Sequence, residues 1–261
     1  MRIAVGQGAA LAGDLAANAA TAARLATAAA DQGAELLVLP EAFLTGYCRA
    51  AFEATPPTPA EAASALTPVR RVAREHAISV VLSTPLLRGE ARTLSSMVVR
   101  PDGEVSAPYD KQHLTGYEHD FFTAGDHGAS LTFGDVEAGL AICYDSSFPE
   151  HARAAALDGA GLYLISAAFF PGGAHRRDLY AASRALDNGM YVAFSGLTGR
   201  CGDEQFIGGS AIYDPEGRTL ARLDTEDGVA VADVDVAVVA ATREAHPMLR
   251  DRREDLGPRV R

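Results

Sequence analysis

The sequence predicts a layered α/β protein built on a mixed β-sheet. Short apolar runs typical of strands alternate with longer segments typical of helices along the whole chain. Two turn sequences, Pro101-Asp102-Gly103 and Asp214-Pro215-Glu216-Gly217, are each flanked by strand-like runs, which predicts two β-hairpins. No linker or low-complexity segment interrupts this pattern, so we interpret residues 1–261 as one domain.

The first third of the chain alternates strands with helices. The first predicted helix ends just before Gly33, because glycine after a helix is a common stop signal. The run Leu36–Leu39 is continuously apolar and is closed by Pro40, as expected of a strand buried on both faces. The predicted elements are strand Ile3–Val5, helix Asp14–Ala30, strand Leu36–Leu39, helix Thr58–His76 and strand Ile78–Ser83.

The rest of the chain contains the two hairpins and the segments between them. The similar turns of the two hairpins hint at an internal duplication. The hairpin strands are Ser95–Arg100 with Glu104–Pro108, and Ser210–Tyr213 with Thr219–Leu223. The other predicted elements are strands Ser130–Phe133, Ala138–Ile142, Leu162–Ser166, Tyr191–Ser195 and Ala230–Val234, helices Phe148–Gly159 and Ala174–Asn188, and a charged tail from Arg243 to Arg261.

Charge and composition exclude several classes of protein. The formal net charge is -11 with no basic block, so nucleic acids and anionic membranes are not expected partners. No stretch approaches the ~20 apolar residues that span a bilayer. The N-terminus also lacks an apolar signal segment, so we expect the cytoplasm. Cys48, Cys143 and Cys201 lack CxxC spacing, which argues against a disulfide scaffold or a structural zinc site.

Three residues whose side chains could take part in catalysis follow strand-like segments. Glu41 follows Leu36–Leu39, Cys143 follows Ala138–Ile142, and Lys111 follows the first hairpin. Functional side chains of α/β sheets gather at the carboxyl ends of strands, and the helix predicted after Cys143 offers backbone N–H groups that can hold an oxyanion. Together the three supply a nucleophile, a base and an electrostatic stabiliser. Separately they have plainer interpretations as a solvated glutamate, a buried structural cysteine and a surface lysine.

The segments around these residues resemble the signatures of the nitrilase superfamily, the carbon–nitrogen hydrolases. Leu37–Phe43 resembles the signature that ends near the catalytic glutamate, Tyr109–Leu114 the lysine signature, and Ile142–Glu150 the nucleophile signature. Their order and intervals are also similar to those of the family. The resemblance implies a four-layer α-β-β-α sandwich of nitrilase type with mixed sheets, which assembles as a homodimer or a larger homo-oligomer.

The resemblance also implies a mechanism. Cys143 attacks an amide carbonyl, Glu41 transfers the protons, and Lys111 stabilises the oxyanion together with the backbone N–H of Tyr144. Glu118 resembles the second active-site glutamate of the family and is expected to orient Lys111 or to position the substrate. The residues expected to contact the substrate are Tyr47, Tyr144, Phe169 and Phe170.

The residues after Cys143 narrow the range of expected substrates. Tyr144-Asp145 follows Cys143 as in the amidase branches, whereas nitrilases have Trp-Glu there. Ser146 and Ser147 stand where several N-carbamoyl-amino-acid hydrolases carry arginine, although Arg176 or Arg177 could substitute for it. We therefore expect hydrolysis of a small non-peptide amide, with an N-carbamoyl compound or a nitrile as the alternatives.

No metal or cofactor is expected. His113, Glu118, His119 and His127 lie close in sequence but lack the spacing of zinc-binding motifs.

Two other classes of protein are less consistent with the sequence. A glutamine-amidotransferase-like hydrolase would need a Gly-x-Cys-x-Gly turn, but Ala141 and Asp145 occupy the glycine positions. An inactive binding protein of the same fold would not need to retain Glu41, Lys111 and Cys143 together. Acyl transfer in place of hydrolysis stays open.

Overall fold

The computed structural model describes residues 1–259, in which strands and helices alternate as predicted. The strands are β1 (Arg2–Gln7), β2 (Leu36–Val38), β3 (Ser79–Arg88), β4 (Ala91–Val99), β5 (Val105–Asp110), β6 (Ser130–Phe133), β7 (Val136–Ile142), β8 (Leu162–Ala167), β9 (Tyr191–Gly196), β10 (Thr198–Cys201), β11 (Glu204–Ile207), β12 (Ala211–Tyr213), β13 (Thr219–Arg222) and β14 (Gly228–Asp233). The helices are α1 (Leu15–Ala30), α2 (Arg49–Glu53), α3 (Pro59–Ala65), α4 (Thr67–His76), α5 (Pro149–Leu157), α6 (Ala174–Asn188), α7 (Val236–Ala245) and α8 (Met248–Asp251).

The strands form two six-stranded mixed sheets and one two-stranded ribbon, β10-β11. The first sheet has the order β14-β1-β2-β3-β4-β5 and the second β13-β12-β9-β8-β7-β6. In each sheet three parallel strands, β1-β2-β3 or β7-β8-β9, are flanked by antiparallel strands. The two sheets therefore repeat one topology, which agrees with the hint from the hairpin turns.

The two sheets pack face to face and helices cover their outer faces. Strand β1 shows how the sequence produces this arrangement, because successive side chains of a strand point to opposite faces. Ile3 and Val5 belong to the cluster between the sheets, whereas Ala4 belongs to the cluster beneath α1 and α4. Helices α5 and α6 cover the second sheet. The predicted α-β-β-α sandwich is thus confirmed.

Two local predictions differ from the structure. Thr58–His76 is two helices that meet at Leu66, because Pro68 lacks the N–H needed to continue the first one. The Thr67 hydroxyl donates instead to the Ser64 carbonyl at 2.6 Å. The predicted charged tail, Arg243 to Arg261, begins inside the last turn of α7 and contains α8, and residues 236–242, which form most of α7, were assigned to no element. Residues 260 and 261 of that tail lie outside the described part of the chain.

No helix within residues 1–259 is long and apolar enough to cross a membrane.

Candidate active site

The carboxyl ends of strands from both sheets meet at one edge of the sandwich. Glu41 follows β2, and its backbone N–H donates to the carbonyl of Ala167 at the end of β8, with an N–O distance of 3.3 Å. The Ser166 hydroxyl donates to the Leu39 carbonyl at 2.7 Å. These two bonds tie the sheets together beside Cys143, which directly follows β7.

Lys111 lies between two carboxylates in the interior of the protein. Its Nζ is 2.7 Å from Glu41 Oε1, and 2.6 Å and 2.8 Å from the two carboxylate oxygens of Glu118. All three side chains are fully buried. Removal of the Lys111 ammonium would leave two buried carboxylates without a counter-charge, so both carboxylates depend on the lysine.

The cluster shifts the protonation of its members. Burial alone lowers the pKa of Lys111, but the charges of Glu41 and Glu118 outweigh it and raise that pKa, so Lys111 stays an ammonium. Burial raises the pKa of Glu41 to about 7, against the opposing effect of Lys111 and with a further increase from Glu118. A carboxylate with that pKa can both accept and return a proton near neutral pH. Its second oxygen, Oε2, is buried and has no hydrogen-bond partner among the described residues.

Glu118 is held by its own turn. It lies in the 3₁₀ turn Gly116–Asp120, and its Oε2 accepts the backbone N–H of Thr115 at 2.9 Å. This is the reciprocal half of a capping box, in which a threonine precedes a glutamate by three residues. The hydroxyl of Tyr47 donates to Glu118 Oε1 at 2.6 Å. Glu118 therefore presents its carboxylate to Lys111 in a fixed orientation.

Cys143 has an unusual backbone conformation. Its φ is +46°, in the left-handed region that non-glycine residues rarely adopt, and it begins the 3₁₀ turn Cys143–Ser147. Ala42, directly after Glu41, is also left-handed at φ +47°. Such strain is typical of residues whose side chain must be aimed. The first amides of a helical turn lack partners within that turn, and the Tyr144 N–H is one of them.

The side chain of Cys143 is a thiol and not a thiolate. Burial and the negative charge of Glu41 raise the pKa of Cys143, and Lys111 opposes them only in part. The sulfur lies 3.6 Å from the Ala168 carbonyl oxygen. Lys111 therefore does not hold Cys143 as a free thiolate.

A cavity of about 440 Å³ opens in front of Cys143. Four aromatic side chains contribute to its wall, and Arg176 is the charged side chain that lines it. No ion pair or hydrogen bond of the Arg176 guanidinium is found among the described residues. The lining residues are Thr115, Cys143, Tyr144, Ser147, Ala168, Phe169, Phe170, Pro171, Gly173, Arg176 and Tyr180.

The structure brings most of the predicted site residues together. Tyr144, Phe169 and Phe170 line the cavity. Tyr47 does not; it is buried among the rings of Phe52, Tyr117, Phe170 and Phe206, with its hydroxyl on Glu118. Arg177 is also absent from the cavity wall, because its guanidinium donates to the Gly208 carbonyl at 2.8 Å.

Two buried residues with evident roles at the site were missed. Asp145 accepts hydrogen bonds from both sides of the lysine segment. Arg184 donates to the carbonyls of Ser146 and Ser147 at 2.9 Å and 3.0 Å, and so holds the end of the nucleophile turn. Asp145 stands inside the nucleophile segment Ile142–Glu150, and that position was the available signal, whereas Arg184 lies on α6, outside the three segments that carry the resemblance. No group of three or more metal-binding side chains is found in residues 1–259.

Known proteins resemble this chain over most of its length. Residues 2–244 match the carbon-nitrogen hydrolase family. A 2-oxoglutaramate amidase of Bacillus subtilis is 33% identical over 227 residues, which cover 85% of this chain and 86% of the relative. A nitrilase of Pyrococcus abyssi is 34% identical over 246 residues, with 91% and 92% covered.

Solved structures give the same result. An amidase from Nesterenkonia sp. superposes with a TM-score of 0.85 at 32% identity, covering 97% of this chain and 93% of the other. This similarity confirms the predicted fold. A mutant of that amidase, also with a TM-score of 0.85 and 32% identity, over 97% and 94% of the two chains, carries the acetamide moiety of fluoroacetamide covalently bound at its active-site cysteine.

Proposed function

The chain belongs to the carbon–nitrogen hydrolase family, and on that premise we propose that it hydrolyses a small non-peptide amide to a carboxylic acid and ammonia. The observation that carries the proposal is the proximity of three groups: Lys111 bonds Glu41, and the charges of both act on the pKa of the Cys143 thiol. The Cys143 thiol opens into the cavity. Glu41 has a free buried oxygen, and Lys111 supplies a permanent positive charge. The Glu41, Lys111 and Cys143 triad is part of the proposal.

The acylation step follows from the protonation states. The thiol proton passes to Glu41 as the sulfur attacks the amide carbon, and the carbonyl oxygen becomes an oxyanion. Lys111 and the backbone N–H of Tyr144 stabilise that oxyanion. Glu41 returns the proton to the nitrogen, and ammonia leaves a thioester on Cys143.

The deacylation step uses the same groups. Glu41 takes a proton from water, whose oxygen attacks the thioester carbon. The tetrahedral intermediate collapses with cleavage of the carbon–sulfur bond, and the proton returns to the thiol. Glu118, which holds Lys111 at 2.6 Å, keeps the ammonium in place through both steps.

An amide is favoured over a nitrile by the chemistry of the site. Attack on an amide gives an oxyanion, which an ammonium and a backbone N–H are suited to hold, whereas a nitrile gives a thioimidate that must be hydrated before ammonia leaves. Relatives include both an amidase and a nitrilase. Direct competition between an aliphatic amide and the matching nitrile tests the choice. Faster ammonia release from the nitrile would overturn it.

The lining of the cavity bears on whether the acyl group of the substrate is neutral or carries a carboxylate. The aromatic wall favours an apolar chain, and Arg176 at the rim can pair with a carboxylate at its far end. A neutral amide such as butyramide and the half-amide of a dicarboxylic acid of equal length separate these cases. Arg176→Gln should lower kcat/KM for the charged amide alone. N-carbamoyl compounds remain the alternative, and their turnover would release carbon dioxide as well as ammonia.

Three broader properties complete the proposal. The three cysteines are free, and all are buried, which is consistent with a reducing cytoplasm. Leu179 and Leu186 lie seven residues apart on α6 and are about half exposed at 52% and 49%, which supports assembly into a homodimer or larger homo-oligomer. A shared core between the sheets supports one domain. Light scattering tests the assembly.

A further inference from the structure

A single buried carboxylate joins the nucleophile turn to the lysine segment. Asp145 is fully buried and lies two residues after Cys143. Its Oδ2 accepts the backbone N–H of Ile142 at 3.0 Å and the hydroxyl of Tyr109 at 2.6 Å. Its Oδ1 lies 2.9 Å from the backbone nitrogen of His113 and 2.9 Å from Nδ1 of that residue.

These partners flank the two reactive residues. Ile142 directly precedes Cys143, and Tyr109 and His113 lie two residues before and two residues after Lys111. The nucleophile and the lysine come from different sheets, so their separation is not set by any one strand pairing. Asp145 bridges both segments with one rigid carboxylate group.

We propose that Asp145 is a positioning residue, which sets the distance between the Cys143 thiol and the Lys111 ammonium by bonding both of their backbone segments. This inference rests on the proposed hydrolase function. It assigns Asp145 no contact with the substrate. Misplacement of reacting groups by about 1 Å can cost on the order of 10²-fold in rate, so a bridge of this kind has a measurable effect.

The hydrogen bonds require two acceptor oxygens. Each oxygen of Asp145 faces one backbone N–H, which can only donate, so an NH₂ group in the place of either oxygen would leave a donor unpaired. Asparagine is therefore not a conservative replacement here, although it has the same shape. One of the two backbone segments must separate from it.

A chain of buried hydroxyl and imidazole groups supports the charge. The single hydroxyl proton of Tyr109 goes to Asp145, so the Tyr109 oxygen accepts from His151 Nε2 at 2.8 Å. His151 Nδ1 is then an acceptor for the Tyr163 hydroxyl at 2.7 Å. His151 is neutral in this arrangement, and burial lowers its pKa, although Asp145 acts in the opposite direction. Every donor in the chain thus points toward Asp145.

The test compares three variants of the full-length protein. Asp145→Asn removes the bridge, and Tyr109→Phe removes one of its hydrogen bonds. Tyr163→Phe is the matched control, because it deletes a buried hydroxyl that is two hydrogen bonds further from Asp145 than the Tyr109 hydroxyl. We expect kcat to fall roughly 10²-fold or more in the first variant and about tenfold in the second, with KM little changed. Tyr163→Phe should stay within about threefold. The pH profile should keep its shape in the folded variants, because Glu41 is not altered.

A second readout separates this inference from the proposed function. The rate of Cys143 alkylation by iodoacetamide, followed by peptide mass spectrometry, reports the thiol and its surroundings without any amide substrate. If wild-type protein releases no ammonia from amides, the proposed function fails, while slower alkylation of Asp145→Asn and Tyr109→Phe, with Tyr163→Phe close to wild type, still supports the bridge. If Asp145→Asn does not fold, Tyr109→Phe carries the test. A folded Tyr109→Phe protein with wild-type kcat and wild-type alkylation would overturn the inference.

Discussion

The two sheets share one topology, yet the side chains at corresponding strand ends differ in their bonding and surroundings. The first parallel strand of one sheet ends at Gln7, and that of the other ends before Cys143. The Gln7 side chain accepts from the Ser210 N–H at 2.9 Å and donates to the carbonyls of Asp224 and Glu226 at 2.9 Å and 2.7 Å. Cys143 has a strained backbone and a side chain that faces a cavity. The scaffold thus supplies equivalent strand ends, one held by hydrogen bonds to other segments and the other open to a cavity.

A second pair of corresponding strand ends, those of β13 and β5, shows the same contrast between a structural and an enclosed side chain. Each of these ends carries a cation. Arg222 ends β13, is part-exposed, and pairs with Asp178 at 3.0 Å and the Tyr213 hydroxyl at 2.6 Å. Lys111 follows β5 and is enclosed by two carboxylates with no exposure. An enclosed cation is screened little by water, so its charge acts strongly on a nearby reacting group. We expect the chemistry to depend on Lys111 and not on Arg222.

The largest expected effect is at Cys143. Cys143→Ala should lower kcat by roughly 10⁴-fold or more, since loss of a covalent nucleophile leaves only binding and electrostatic catalysis. The melting temperature should change little, because one sulfur atom is lost at the edge of a cavity. Ammonia release and thermal unfolding measure the two properties. Substantial residual turnover by pure protein would remove Cys143 from the reaction.

Lys111→Arg comes next. Arginine keeps the charge, but its planar fork cannot take the place of a compact ammonium between Glu41 and Glu118. We expect a loss on the order of 10²-fold in kcat, comparable to removal of one oxyanion donor. Arg222→Lys is the matched control at the corresponding strand end and should stay within about twofold. Equal effects of the two changes would contradict the contrast drawn between these cations.

Gln7→Met exchanges a hydrogen-bonding side chain for an apolar one of similar shape. It leaves the Ser210 N–H and the Glu226 carbonyl without the partners that Gln7 supplies, whereas the Asp224 carbonyl keeps the Gly209 N–H at 2.8 Å. The free energy of unfolding should therefore fall by about 2 kcal/mol. The kcat of the folded fraction should be unchanged within about twofold. Denaturant unfolding and active-site titration together check this outcome. A large fall in kcat at full stability would place Gln7 among the functional residues.

The sequence predicted those site residues that a local sequence pattern marks. Glu41, Lys111 and Cys143 follow apolar runs and stand in recognisable motifs, so their location at strand ends was predictable. The roles of Gln7 and Asp145 were not, because their partners lie in distant segments such as Ser210 and Tyr109.

Short elements also escaped prediction. Helix α2 and the β10-β11 ribbon have four or five residues in each element, too few to show a clear periodicity. The placement of Tyr47 behind Glu118 depends on an aromatic cluster drawn from four separate segments. Tertiary packing of that kind leaves no signal within a short sequence window.

The pH dependence of kcat/KM tests Glu41 as the base. The pKa of Glu41 is raised to about 7, and only the ionised form can accept the thiol proton. We expect kcat/KM to fall as pH drops through 7, approaching about tenfold per unit at lower pH. A glutamate with an ordinary pKa would keep nearly full activity at about pH 6. A flat profile between about pH 5.5 and 8 would therefore exclude Glu41 as the group that limits the rate.

The smallest effect concerns the strain at the nucleophile. A left-handed backbone costs an ordinary residue roughly 1–2 kcal/mol, and glycine adopts it freely but loses about 0.5–1 kcal/mol more entropy on folding. Cys143→Gly should therefore be more stable than Cys143→Ala by about 0.5–1 kcal/mol, with both inactive. Ala77, at φ +55° after α4 and far from any proposed chemistry, is the control, and Ala77→Gly should gain a similar amount. If glycine stabilises position 77 and not position 143, the turn that holds Cys143 is not strained. Its left-handed conformation is then imposed by other contacts. The hydrogen bond from the Ser146 hydroxyl to the Cys143 carbonyl, at 2.6 Å, is the first of these contacts to remove.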